Sequence, residues 1–164
     1  MKLIPLTQGQ FAKVDDDDFE KFANSKWCAS WSPITKSFYA ARTSVRNSSG
    51  DKIKKQVFLH REILCLTDPN IMGDHINHDT LDCQKHNLRH ATRSQNAMNR
   101  KGPRSNSSSG IRGVSWYGPS GKWSAKISIN GRLSHLGYFV DKMEAAAVYA
   151  AANKKHFGEF GGAI

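Results

Sequence analysis

The stretch "NRKGPRSNSSSG", residues 99–110, limits the fold more than any other segment of this chain. It consists of Gly, Pro, Ser and Asn with three basic residues and offers no apolar face. Pro removes a backbone donor and Gly resists ordering, so neither a packed helix nor a central strand runs through it. Each flanking part must therefore bury an apolar face of its own. The expected organisation is an N-terminal region at 1–100, a flexible basic linker at 101–109 and a C-terminal region at 110–164. The linker's composition suits a plain spacer and a groove-tracking arm equally.

After the linker, "GIRGVSWY", "KWSAKISIN" and "RLSHLGYFV" read as three strands. They are separated by "GPSG" and "NG", and Asn-Gly is a strong hairpin signal. "DKMEAAAVYAAANKKHFG" follows as a helix, with Asp141 as N-cap, Glu144 completing a capping box, and Gly158 as the stop. Ala145, Val148, Tyr149 and Ala152 make its apolar stripe. In the middle strand Trp123, Ala125, Ile127 and Ile129 share one face; Lys122, Ser124, Lys126 and Ser128 share the other.

The N-terminal region reads as mixed α and β. "KLIPL", "FAKV", "KSFYAARTSV" and "KKQVFLH" are strand candidates, with "NSSGD" as a turn between the last two. The acids Asp15 to Asp18 suit the positive end of a helix that places Phe19, Phe22 and Ala23 on one side. "HREILCL" is a short amphipathic helix or turn. The fold class expected for the whole chain is α+β.

Formal net charge is +10, which favours an anionic partner, nucleic acid first among them. Residues 1–101 carry 16 basic and 11 acidic side chains, and residues 102–164 carry 8 and 3, so each part holds a surplus of five. Cys28, Cys65 and Cys83 are far apart and form neither a disulfide framework nor a thiolate zinc pair. No apolar run reaches the roughly 18 residues a membrane helix needs, and the first residues lack a signal-peptide core. Residence in the cytoplasm follows as the default expectation.

The segment "DHINHDTLDCQKHNLRHATRSQN", residues 74–96, concentrates four histidines, three asparagines and three aspartates. The spacing of His75, His78, His86 and His90 matches no common zinc finger. Phosphodiester hydrolysis instead needs a base for water, and histidine titrates near neutrality. It also needs a cation on the phosphate, and a hard cation takes oxygen ligands. "IMGDHIN" as a strand, "HDTLDCQKHN" as a loop, "LRHAT" as a returning strand and "TRSQNAMNR" as a helix bring Asp74, His75 and Asn96 toward one point. Asp74 and His75 are adjacent, so both act only if the strand bends there or the metal sits at its edge.

The pattern "DHIN-x-D-x-x-D…NLR-x-AT-x-x-QN" resembles the HNH endonuclease motif, in the form found in phage and intron homing endonucleases where the last histidine is asparagine. The segment "IPLTQGQFAKVDDDDFE…W…HREIL" resembles the N-terminal region common in such proteins. The resemblance implies a ββα-metal fold cleaving DNA with one divalent ion, magnesium or manganese. It implies His75 as general base, Asp74 and Asn96 as metal ligands, and Asn87 as the residue that orients the loop or the histidine. Arg89 and Arg93 are candidate DNA contacts. His60 is read as structural or DNA-facing, and His78, His86 and His90 as loop or phosphate-contacting residues. One departure concerns Cys83, where relatives often carry Asn, a residue that tolerates left-handed backbone better.

Residues 109–162 resemble the ethylene-response-factor (APETALA-type) DNA-binding domain through "RGV", "KW-x-A-x-I", "LG-x-F", "EAA-x-x-Y" and "FGEF". The resemblance implies a three-stranded sheet laid in the DNA major groove, with Arg112, Lys126 and Arg132 as contacts. Trp123 falls either in the core, as alternation suggests, or on DNA, as the family allows.

Together these readings predict a metal-dependent endonuclease acting on double-stranded DNA, as a monomer that nicks or a weak dimer, with targeting by the C-terminal region. Two other readings are a DNA-binding regulator with a degenerate nuclease module, and an RNA-directed protein. A-form RNA disfavours the last, because its major groove is too narrow for a sheet.

Overall fold

A computed structural model describes residues 1–48, 51–100, 102–103 and 107–161, with side-chain surroundings given outside residues 45–53. The centre of the expected "NSSGD" turn, 49–50, lies outside the described residues, as do 101 and 104–106 of the expected linker. The fold is mixed α and β, with several small antiparallel sheets and four α-helices among the described residues. It divides into two compact units, Met1–Arg93 and Ser94–Ile164. The division thus falls ahead of the Gly/Pro/Ser-rich stretch, just inside a helix.

In the first unit, β1 (Lys2–Pro5) and β2 (Phe11–Val14) pair antiparallel, with Ile4 opposite Ala12. Helix α1 (Asp16–Phe22) begins at the acid run, as the charge pattern predicts. Strands β3 (Cys28–Ser32), β4 (Ser37–Ser48) and β5 (Asp51–Phe58) form a sheet in that order. The sequence gives no clear sign of β3: "CASWS" is short and mostly small, and its strand form depends on pairing with β4. Helix α2 (Leu59–Ile63) follows β5 directly. Strands β6 (Met72–His75) and β7 (Leu88–Ala91) make a second hairpin, which leads into α3 (Arg93–Met98).

Ile4, Val14, Trp27, Leu59, Cys83 and Leu88 bury together at the centre of this unit. Removing an aliphatic side chain such as Leu59 from water contributes about 1.5–3 kcal/mol. Trp27 fills its place without leaving its indole N–H unmet, because Nε1 donates to the Phe22 carbonyl at 2.9 Å. Cys83 is therefore a core residue, only 1% exposed.

In the second unit, β8 (Val114–Tyr117), β9 (Lys122–Ile129) and β10 (Arg132–Phe139) pair antiparallel with β9 in the middle. Asn130 and Gly131 take φ of 50° and 77°, the left-handed pair that a tight Asn-Gly hairpin turn requires. Helix α4 (Lys142–Phe157) starts at Asp141, whose carboxylate accepts from the Met143 and Glu144 backbone N–H groups at 2.7 and 2.9 Å. Such a cap contributes about 1 kcal/mol. Ala145, Ala146 and Tyr149 of the helix pack with Val114, Ala125 and Ile127 of the sheet. Val148, expected on this stripe, is half-buried, while Asn153 is fully buried. Gly113 sits beside Tyr149: a Cβ there would lie 2.1 Å from the ring, so only glycine permits this approach.

Candidate active site

Asp74 and His75 end strand β6, opposite Arg89 and Leu88 of β7. Consecutive strand residues face opposite ways, and these two enter different surroundings. The Asp74 carboxylate, 5% exposed, accepts a 2.8 Å bond from Arg89 Nε. His75, 6% exposed, enters a cluster of rings: His60 at 4.9 Å between centroids and Tyr39 at 6.1 Å. Phe58 closes the other side of His60 at 5.7 Å. Burial lowers the His75 pKa to about 4, against the opposing pull of Asp74, Asp79 and Asp82. Burial likewise lowers His60 to about 3. Both rings are neutral at pH 7, the state a proton acceptor requires.

Beyond His75 the chain leaves the strand and forms a polar loop, 76–87, held by side-chain hydrogen bonds. Asn87 is its keystone: Nδ2 donates to the Asp82 carbonyl at 2.7 Å, and Oδ1 accepts from the Asn77 backbone at 2.9 Å. Asn77 in turn donates from Nδ2 to Asp82 Oδ2 at 2.8 Å. Thr80 donates to the Phe38 carbonyl at 2.6 Å. Lys13 clamps the loop twice, through backbone bonds to Leu81 and Cys83 and through its ammonium to Asp79 at 2.9 Å.

The acid run at α1 reaches the same loop. Asp15 does not cap its own helix with its side chain; it accepts from Lys85 N–H at 2.8 Å and Gln84 Nε2 at 3.1 Å. Buried Asp18 meets the Lys85 ammonium at 3.2 Å. The run therefore starts a helix and also anchors the loop that follows His75.

Left-handed backbone in this loop falls on His78, at φ 65°, and not on Cys83. Cys83 therefore imposes no left-handed strain on the loop and instead fills core volume. His86 is exposed, and His90 Nε2 lies 3.0 Å from the Leu64 carbonyl. Arg93 is exposed at the first position of α3. Asn96 lies on α3 within the second unit, so the first unit by itself supplies Asp74, His75 and Asn87.

Among the described residues, no three His, Cys, Asp or Glu side chains gather as a ready metal cage. A magnesium-type ion asks for less: one or two carboxylates, retained waters and a substrate phosphate. A single buried carboxylate at Asp74 fits that mode, provided Arg89 shares it.

In the second unit, residues directly opposite across strands share a face. The register places Tyr117, Lys122, Lys126, His135 and Tyr138 on one face. There Tyr138 packs on Tyr117 at 4.9 Å and on His135 at 4.4 Å. Ser124, on the same face of the central strand, is 1% exposed, so this polar face is partly closed at its middle. Trp123 lies opposite Trp116 and packs against the core of the unit, with Lys142 Nζ 5.7 Å from its ring. Arg132 is exposed at the start of β10. Arg112 is engaged elsewhere: Nη1 donates to the Met98 and Arg100 carbonyls at 2.7 and 3.1 Å.

Sequence reasoning missed the apposition of His60 and His75, and the seating of His75 against Tyr39. The rings come from β4, α2 and β6, and no local spacing announces their meeting. Comparison with protein-family models, curated proteins and solved structures found no match.

Proposed function

We propose that this chain is a metal-dependent HNH-type endonuclease acting on double-stranded DNA, with Asp74 and His75 of its first unit in the active site and its second unit adding DNA affinity. The observation that carries this reading is the end of β6. There a buried carboxylate and a buried neutral imidazole stand at consecutive positions, followed by a loop braced through Asn87.

His75 takes a proton from the attacking water as the new P–O bond forms; the bond to the 3′ oxygen breaks and that oxygen takes a proton from solvent water, leaving 3′-hydroxyl and 5′-phosphate ends. Asp74 would hold a magnesium or manganese ion, which would supply charge neutralisation at the phosphate and the leaving oxygen. Arg89 holds the Asp74 carboxylate in place. Asn87 holds the loop that follows the base, which keeps the end of β6 in register. Lys126, Arg132 and Arg93 are the proposed phosphate contacts, because Arg132 and Arg93 are exposed and Lys126 stands on the polar face of the sheet. Within the second unit Trp123 packs against the core beneath the sheet that carries Lys126 and Arg132, and Arg112 ties the chain before that sheet to the Met98 and Arg100 carbonyls.

A non-catalytic DNA-binding regulator is the second reading, and the ion pair that occupies Asp74 favours it. Supercoiled plasmid separates the two. The nuclease reading expects nicking with magnesium or manganese, none with chelator, and nicking slowed by at least about a hundredfold with His75→Ala. Binding of duplex without nicking under any of these metals leaves the regulator.

A further inference from the structure

The ring of His60 occupies space that a side chain on β6 would otherwise fill. Gly73 stands two positions before His75, and a Cβ added there would come within 2.6 Å of His60 Cδ2 and 3.2 Å of Leu64 Cδ1. Gly73 has no left-handed backbone that would demand glycine. Its missing side chain is explained by room for the His60 ring. His60 is 7% exposed and meets His75 edge to face, with centroids 4.9 Å apart and planes at 64°. Tyr39 touches both imidazoles, at 5.8 and 6.1 Å, and Phe58 backs His60 at 5.7 Å. The histidine of the proposed site is thus wedged by a second histidine that comes from another element. A reacting group displaced by about 1 Å loses on the order of a hundredfold in rate, so a wedge of this kind has catalytic consequences.

We propose that His60 is a positioning residue, which sets the imidazole of His75 for proton transfer through ring packing made possible by Gly73. The proposal rests on the nuclease reading above. The test uses the full chain in single-turnover nicking of supercoiled plasmid, reading the maximal rate and the half-saturating protein concentration separately. His60→Ala and Gly73→Ala should each lower the maximal rate by about 10- to 100-fold, with half-saturation changed less than twofold. In the His60→Ala background there is room for a methyl at position 73, so Gly73→Ala should then cost less than threefold. In metal-free protein, the His75 ring-proton resonances should move in both single variants, a readout that needs no turnover. It also serves if one variant is too unstable to assay.

A His60→Ala rate equal to wild type overturns the positioning role while leaving the nuclease reading standing. So does a Gly73→Ala cost that is the same in both backgrounds, or His75 resonances that stay in place. A wild-type chain that never nicks with magnesium or manganese overturns both.

Discussion

The loop 76–87 and the sheet β8–β10 are stabilised in opposite ways. The sheet joins strands that neighbour one another in sequence, and its turns carry the residues that turn geometry demands. The loop has almost no regular structure and is tied to distant chain: Lys85 to Asp15 across 70 positions, Lys13 to Asp79 across 66, Thr80 to Phe38 across 42. The sheet reports on its own sequence. The loop reports on how the rest of the first unit has folded around it. A polar site can be held rigidly without regular structure, provided each buried polar group finds a partner.

The largest effect should come at the end of the loop-bearing strand. His75→Ala should reduce metal-dependent plasmid nicking by about 10²–10⁴-fold, the range for loss of a general base, with duplex affinity retained. Unchanged nicking would remove His75 from the chemistry. Next, Asn87→Ala removes two bonds and strands the Asp82 carbonyl and the Asn77 N–H. We expect a loss of about 3 kcal/mol in urea unfolding, localised by hydrogen exchange to loop 76–87 and its anchors. A loss spread evenly over both units would break the contrast between loop and sheet.

Gly113→Ala is the counterpart in the second unit. It drives a methyl into Tyr149 at a backbone φ of +74°, and should cost about 2–4 kcal/mol there while the exchange rates of the first unit stay as they were. A smaller, pH-dependent effect belongs to Asp15. The Lys85 N–H first, and Gln84 with it, holds this carboxyl below its ordinary value of 3.8, with burial acting in the opposite direction. A folded-state pKa below the unfolded one means the stabilisation is present above the unfolded value. It disappears as pH falls through the folded value. Acid titration of stability should therefore be shallower in Asp15→Asn than in wild type. The smallest test concerns thiols: burial pushes Cys83 up to about 12, so native protein should expose only Cys28 and Cys65 to a thiol reagent, with Cys83 reacting on unfolding.

Much of the fold was legible from sequence because its signals act over a few residues. Asp141 caps α4, Asn130-Gly131 turns β9 into β10, and the acids at Asp16 to Asp18 open α1. The candidate site was legible in part: Asp74 and His75 stood out by type and spacing. Their surroundings did not. Arg89 reads as a DNA contact until the register of β6 and β7 sets it against Asp74. Asp15 reads as one of four acids at the positive end of a helix until the loop's backbone arrives to claim its oxygens. Ser124 alternates onto the polar face, yet its central-strand position buries it.

The sequence by itself determined the α+β character, the turn and cap positions, the charge surplus and the residue types available at 74–96. Short-range sterics and hydrogen bonding dictate these within a turn or two of chain. Only the tertiary structure decided that His60 meets His75, that Cys83 lies in the core and that the acid run braces a loop. Each joins side chains from separate elements, and their meeting is set by how those elements pack to bury Ile4, Trp27 and Leu59. Packing of that kind is a property of the assembled unit, which no local window of sequence contains.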